Sequence, residues 1–317
     1  MEQGKTSTKA AGVDVSKRHL DAAVHGEAGE ARFDNTPEGF AALASWLVGR
    51  GVGRVGLEAT GGYEKGVFGF LQARGFSTVL HQPLEVRLFA RLRRQRAKND
   101  RIDARMIAAA TAQVEAVKAA GDPYLAELAE RMTAYEQAAD LLAQTRTYRE
   151  HTRLADLRVD LDAHIRILAA RKKTLAADLV RRIRQRIDLA QRFDLIASIP
   201  GFGKITAAAL VIRMPELGAM QRGQPASLLG VAPFDRDSGD WKGQRFIGGG
   251  RARPRRLVYM AALAARRIDP NLKAFADRMA AAGKPPKVIL VAVMRKLIEA
   301  VNLVLKRGTP WIPSTAN

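Results

Sequence analysis

Five residues in this chain have types and spacings that can do chemistry together. Asp14 stands in an apolar stretch, Gly12-Val13-Asp14-Val15, where a charge is costly unless it sits at a strand end or binds a cation. Glu58 closes a second apolar stretch, Val55-Gly56-Leu57-Glu58. Asp100 and Asp103 lie three apart in Lys98-Asn99-Asp100-Arg101-Ile102-Asp103-Ala104-Arg105, which puts both on one helical face. Carboxylates from two strands and a helix can hold two divalent cations about 4 Å apart, one activating the attacking oxygen at a phosphodiester and one stabilising the leaving oxygen. Hard oxygen donors favour Mg2+. Each acid also has a structural alternative. Asp100 can cap a helix, Asp103 can pair with Arg101 or Arg105, and Glu58 can pair with Lys65.

The fifth residue is Ser238, the one serine in the loop Phe234-Asp235-Arg236-Asp237-Ser238-Gly239-Asp240-Trp241-Lys242-Gly243-Gln244-Arg245. A serine is a weak nucleophile unless a base or a cation activates it. Arginines or a metal can supply that here, and by chemistry alone Asp237-Ser238-Gly239 is a turn. The loop runs through Gly248-Gly249-Gly250-Arg251 into a helix near Pro254. From Lys242 to Arg256 it carries Lys242, Arg245, Arg251, Arg253, Arg255 and Arg256 with no acid, a charge suited to gripping a strand and neutralising the attacked phosphate. Upstream, Ser198-Ile199-Pro200-Gly201-Phe202-Gly203-Lys204 has the form of a helix-hairpin-helix turn. Small residues there let backbone N–H groups approach a phosphate, with Lys204 as counter-charge; the alternative is a tight turn between packed helices.

These residues need positioning elements. The first third predicts strands over Ala11–Val15, Leu20–His25 and Arg32-Phe33, and a helix from Pro37 to about Gly49. A strand over Arg54–Glu58, a helix to about Arg74, a strand over Ser77–His81 and a helix from Pro83 follow. A hairpin and then strand–helix–strand indicates a mixed sheet with helices on its faces. Tyr124 to Leu195 holds no Pro or Gly, and Leu154, Leu157, Leu161, Ile165 and Leu168 repeat at helical steps, predicting a long antiparallel hairpin or coiled-coil arm, a common oligomer-former. Pro254–Ile268, Asn271–Ala282 and Pro286–Lys306 read as three more helices. The expected division is 1–115, 116–195 and 196–317.

Of the 317 residues, 52 are Lys or Arg and 32 are Asp or Glu, a formal net charge of +20. That excess points to a polyanion, most simply nucleic acid. Arginines cluster before Asp100, Arg93 and Arg94 among them, and again over residues 171–186. Aromatics are only 6%, which disfavours a base-stacking surface and favours duplex or structured RNA. With no cysteine, disulfides, thiolate catalysis and sulfur-ligated zinc are excluded. The amino terminus has no signal-peptide core, and the longest apolar run, Val288–Met294, falls far short of a bilayer span. The expectation is a soluble cytoplasmic chain that associates with the nucleoid when acting.

The order GVDVSK, LEATGGYE, KNDRIDAR, followed by the glycine turn and the serine loop, resembles the DEDD transposases of the insertion sequence 110 family and their relatives, the pilin-gene inverting recombinases. The resemblance covers nearly the whole chain. It implies an α/β plus all-α fold: an RNase H-like (RuvC-like) domain, a helical coiled-coil arm, and a helical transposase domain with the helix-hairpin-helix. It further implies that Asp14, Glu58, Asp100 and Asp103 are the metal ligands, and that Ser238 is a nucleophile forming a phosphoserine link to cleaved DNA. Partners implied are donor and target DNA, a structured element-encoded guide (bridge) RNA, and further copies of the chain in a dimer or tetramer. Two readings compete with this one, a metal-dependent junction-resolving nuclease without covalent intermediate and a non-catalytic nucleic-acid-binding protein.

Overall fold

A computed structural model describes residues 9–93, 100–115, 122–234, 237–238, 241–243 and 245–312, of which Asp100, Arg101, Ile102, Asp237, Ser238, Trp241 and Lys242 are described by their backbone. The chain divides into two compact units, Met1–Ala120 and Gly121–Asn317.

The first unit is built on β1 (Lys9–Val15), β2 (His19–Val24), β3 (Glu30–Asp34), β4 (Val52–Glu58) and β5 (Ser77–His81). Their order across the sheet is β3-β2-β1-β4-β5. β1, β2 and β3 form an antiparallel meander, whereas β1–β4 and β4–β5 are parallel. Parallel neighbours need a crossover, and α1 (Pro37–Gly49) and α2 (Glu64–Ala73) supply them. Thr36 caps α1 by accepting from the Gly39 N–H, with Pro37 at the first turn. α3 (Pro83–Leu92) and α4 (Asp100–Ala112) follow.

Side-chain alternation divides the sheet into two faces. Ala11, Val13, Val15, Leu20, Ala22, Val24, Val55 and Leu57 point one way and share a core with Phe40, Leu43 and Leu47 of α1 and Val67 and Leu71 of α2. Gly12 and Gly56, cross-strand partners, point the other way, where α4 packs. A Cβ on Gly12 would lie 2.2 Å from the Ala108 nitrogen and 2.3 Å from the Ala104 oxygen. Only glycine permits this approach.

The second unit is helical. α5 (Pro123–His151) and α6 (Ala155–Ile183) form a hairpin of two 29-residue helices, followed by α7 (Ile187–Ala197) and α8 (Lys204–Arg213). Leu154 lies just outside α6 as its N-cap and is exposed, as is Leu157. The expected leucine stripe is therefore helical but only partly covered within one chain. α9 (Gln224–Leu229) precedes four two-residue strands, β6 (Pro233–Phe234), β7 (Asp237–Ser238), β8 (Trp241–Lys242) and β9 (Phe246–Ile247). α10 (Ala252–Ile268), α11 (Pro270–Ala281) and α12 (Pro286–Arg307) complete the unit. Its core joins Leu128 and Met132 of α5, Leu179 and Ile183 of α6, Phe193 of α7 and the buried side of α12. Among the described residues no helix is long and apolar enough to cross a membrane.

Candidate active site and nucleic-acid interface

The glycine contacts fix where the acids of the first unit lie. Asp14 is two residues beyond Gly12 on β1, and Glu58 two beyond Gly56 on β4, so both share the face that α4 covers, at the carboxyl ends of neighbouring parallel strands. α4 runs against the strand direction. Val114, just past it, accepts a 2.5 Å hydrogen bond from Arg54 at the start of β4, Thr111 meets Gly56, and Ala104 and Ala108 meet Gly12. Moving forward along β1 from Gly12 by two residues, about 6.6 Å, moves backward along α4 by roughly one turn. That brings the strand ends to the turn carrying Asp103, with Asp100 opening the helix. The sequence-predicted acids of β1, β4 and α4 are thus gathered at one end of one sheet face. The Asp100 side chain lies outside the described residues. Among the described side chains no three acidic or histidine groups already form a metal-sized cluster.

Arg105, one structural partner considered for Asp103, binds Glu30 on β3 at 2.6 Å and so ties α4 to the sheet. Three further residues, not singled out from the sequence, shape the site. Asp21, the cross-strand partner of Asp14, is buried and held by Arg32 through two hydrogen bonds of 2.8 and 2.9 Å, so its carboxylate is already engaged beside Asp14. His81, opposite Glu58 in register, is buried and lies 2.9 Å from the Thr111 hydroxyl. That hydroxyl donates to the Ile107 carbonyl at 2.6 Å, which leaves its oxygen to accept from His81 Nε2–H. Burial pushes the His81 imidazole below its usual 6.5, against the opposing pull of Glu85, and favours the neutral ring. The pair pins α4 to β5 behind Glu58.

Glu64 organises the turn that follows Glu58. Its Oε2 accepts from the Thr60 N–H at 3.1 Å, the Thr60 hydroxyl at 3.0 Å and the Gly62 N–H at 2.8 Å. Burial works against its charge, but its own backbone N–H, together with these hydrogen bonds from Gly62 and Thr60, outweighs burial and holds its pKa below 4.5. The sequence carries signals for two of these residues: a Glu two positions after Gly61-Gly62, and an aspartate facing Asp14 once the hairpin register is drawn.

In the second unit Ser238 ends β7, with Ser238 and Asp237 paired to Trp241 and Lys242 of β8. A second ladder, Pro233 with Ile247 and Phe234 with Phe246, closes the loop below it. What the sequence presents as one long loop is a nested pair of short ladders. Its base is clamped by glycines: Gly230 and Gly250 both have positive φ, and a Cβ on Gly250 would lie 2.2 Å from the Gly230 nitrogen. The Arg251 N–H donates to the Leu228 carbonyl at 2.9 Å.

The predicted cations differ in how far the protein already uses them. Arg251 binds Glu216 at 2.6 Å and the Arg213 carbonyl at 2.5 Å. Arg253 binds Glu136 at 2.8 Å, on a carboxylate that also takes Arg213 at 3.0 Å. Lys204 and Arg245 are exposed. Arg93 is exposed, its guanidinium 5.3 Å from the Phe89 ring centre. Arg94 and the Lys242 side chain lie outside the described residues. At the glycine turn, Gly201 (φ 87°) faces α10, where a Cβ would lie 2.5 Å from the Ala261 oxygen, whereas Gly203 opens onto free space as the N-cap of α8. One glycine of the turn packs, and the other leaves the first N–H groups of α8 without a side-chain cap.

A sheet-based unit with strand-end acids, followed by a strongly basic helical unit, is an arrangement suited to phosphodiester chemistry on DNA, and comparison with known proteins agrees. Residues 11–148 match the DEDD transposase model of the IS110 type, and residues 193–277 match the model described as "Transposase IS116/IS110/IS902 family". The chain belongs to the IS110 family of transposases, enzymes of DNA recombination. It is 26% identical over 314 residues to the "Pilin gene-inverting protein" of Moraxella bovis, covering 95% of this chain and 96% of the relative. The same protein of Moraxella lacunata matches to the same extent. A 42 kDa protein of insertion element IS900 from Mycobacterium paratuberculosis is 29% identical over 142 residues, 42% of this chain and 34% of the relative.

Proposed function

We propose that this transposase cuts and exchanges DNA strands with metal-binding carboxylates on the first unit and a serine nucleophile on the second. The observation that carries the reading is the placement of Asp14 and Glu58 at adjacent strand ends on the face crossed by the Asp103 turn of α4. The strand order, with an antiparallel meander leading into parallel strands, supports an RNase H-like fold for this unit. Asp14, Glu58, Asp100 and Asp103 would hold Mg2+, a fit supported by an all-oxygen donor set. Bound there, Mg2+ would act as a Lewis acid on the phosphodiester oxygens.

The serine hydroxyl gives up its proton as Oγ bonds to phosphorus. The bond from phosphorus to the leaving deoxyribose oxygen breaks, and that oxygen takes a proton. One phosphoester replaces another, so reversal onto a new strand end rejoins DNA without an external energy source. Arg245 and Lys242 near the loop would balance the phosphate charge. The Gly201–Gly203 turn with Lys204 would act as a helix-hairpin-helix clamp on the duplex backbone, its support being the open N-terminus of α8. Target choice would rest with a structured guide RNA, in keeping with the abundance of basic residues and the scarcity of aromatics. The exposed apolar side chains at and along α6, Leu154, Leu157, Val159 and Ile167, support assembly into a dimer or tetramer.

The test is Ser238→Ala. Full-length protein carrying it should lose every covalent protein–DNA adduct and all strand exchange while still binding DNA; undiminished cleavage without adduct would favour the junction-resolving nuclease. Asp14→Asn and Glu58→Gln should each abolish rearrangement in cells, and intact rearrangement would favour a non-catalytic role. Sequencing of copurified RNA tests the guide. Light scattering of the nucleoprotein complex tests assembly, which a strict monomer would contradict.

A further inference from the structure

A cavity of about 750 Å3 in the second unit has no part in the chemistry described so far. It lies among α5, α6, α10 and α12, and Ile247 of β9 forms part of its wall. Its size is that of a small-ligand site. Leu257, Val291 and Met294 give it an apolar lining, and Tyr259 and Met260 stand at it with 38% and 60% of their surface exposed.

The charges around it are unbalanced. Glu136 and Asp140 also line it, but both are engaged, Glu136 by Arg253 at 2.8 Å and Asp140 by Arg256 at 3.0 Å. Three more cations remain, Lys172, Arg255 and Lys287. Lys172 stands 5.8 Å from the centre of the Tyr135 ring. Arg255 donates to the carbonyls of Gly230 and Gly249, at 3.1 and 2.8 Å, which leaves its charge unneutralised. Among the described residues none of the three has a carboxylate partner. A neutral apolar ligand would leave these charges unanswered, and a bare anion would leave the Tyr259–Met260 surface wet. A ring with a stackable π-face joined to a phosphate answers both, as a nucleotide does.

The location selects the kind of nucleotide. Ile247 is the β9 residue whose pairing with Pro233 closes the loop that bears Ser238, so the cavity adjoins the base of that loop. We infer that the cavity receives one unstacked nucleotide of the DNA strand gripped by the Ser238 loop, its base against Tyr259 and Met260 and its phosphate toward Lys172, Arg255 and Lys287. Such a pocket would hold the strand locally open beside the attacked phosphate. The inference rests on the proposed function for its choice of DNA, but the pocket can be tested without catalysis.

The experiment uses full-length protein and DNA duplexes carrying a short mismatch bubble with one 5-iodouracil. Irradiation should crosslink the iodinated base to the peptide containing Tyr259 and Met260, in wild type and in Ser238→Ala alike. Tyr259→Ala should remove that crosslink and weaken bubble binding roughly tenfold relative to perfect duplex, while Tyr259→Phe should retain both and so control for folding. Lys172→Ala combined with Lys287→Ala should weaken binding and flatten its salt dependence. Crosslinks confined to other peptides, equal affinity of wild type and Tyr259→Ala, or preferential crosslinking there of RNA of the same sequence would each overturn the inference. So would loss of a dimer on Tyr259→Ala without loss of bubble preference, which would assign the surface to a second copy of the chain. If the crosslink forms but Ser238 yields no adduct, the nucleophile reading falls and the pocket stands. An adduct without the crosslink removes the pocket and leaves the nucleophile in place.

Discussion

The two units differ in how the helices beside their functional groups are set. In the first, α4 is set on the sheet by contact of backbone with backbone at Gly12, and the acids follow from that contact with almost no freedom. In the second, helices and the segments that flank them are joined by long arginines reaching across to carboxylates: Arg213 and Arg253 to Glu136, Arg251 to Glu216, Arg182 to Glu127 and Arg131 to Asp178. A glycine contact leaves almost no slack, because packed backbone cannot yield. An arginine can swing on several rotatable bonds and still find its partner. The difference suits the chemistry proposed for each. Metal ligands need fixed geometry, whereas a surface that follows a nucleic-acid backbone needs reach.

The largest expected effect is therefore at Gly12. Gly12→Ala should destabilise the first unit by about 3 kcal/mol and abolish recombination, measured by urea unfolding and a cell assay. Gly56→Ala should cost less, since the nearest obstacle is the Thr111 side chain rather than backbone. If both are neutral, the close-contact account of the first unit is wrong. Next comes Glu136→Ala, which strands Arg213 and Arg253 around a buried position. It should cost about 2 kcal/mol, read as a fall in urea midpoint of the second unit.

His81→Ala should cost about 1–2 kcal/mol by leaving the Thr111 hydroxyl without its donor. Hydrogen exchange should then rise in α4 before the rest of the sheet, and uniform exchange would assign His81 no special hold on that helix. Glu64 provides a pH-dependent effect. Its folded pKa lies below the unfolded 4.5, so its contribution is fully present above that value and is lost as pH falls through the folded value. Glu64→Gln should flatten the acid side of the first unit's stability profile and leave neutral stability slightly reduced. At the small end, the exposed Arg149–Asp162 pair on the helical hairpin should be dispensable, and Asp162→Asn should leave the melting temperature unchanged within error. A clear shift there would mean that the second unit is held as rigidly as the first.

Much of this is legible in the chain. The strand over Ser77–His81, the helix from Pro37 and the three terminal helices follow from apolar periodicity and proline starts. Asp14 stands out because a charge inside an apolar strand demands a reason. Asp21 does not, because its reason is Arg32 on another strand. His81 reads as the end of a strand until α4 places Thr111 beside it. The inner ladders of the serine loop are invisible to a two-residue pattern, which is too short to carry periodicity.

The sequence by itself determined the unit types, the acids and the distribution of positive charge, since these depend on local pattern and composition. Only the tertiary structure decided which acids share a face, which are already taken by arginine, and that a cavity with unanswered charges adjoins the Ser238 loop. Those facts depend on register and on close contacts between distant segments. A Cβ on Gly12 would come within 2.2 Å of the Ala108 nitrogen, although nearly a hundred residues separate the two along the chain.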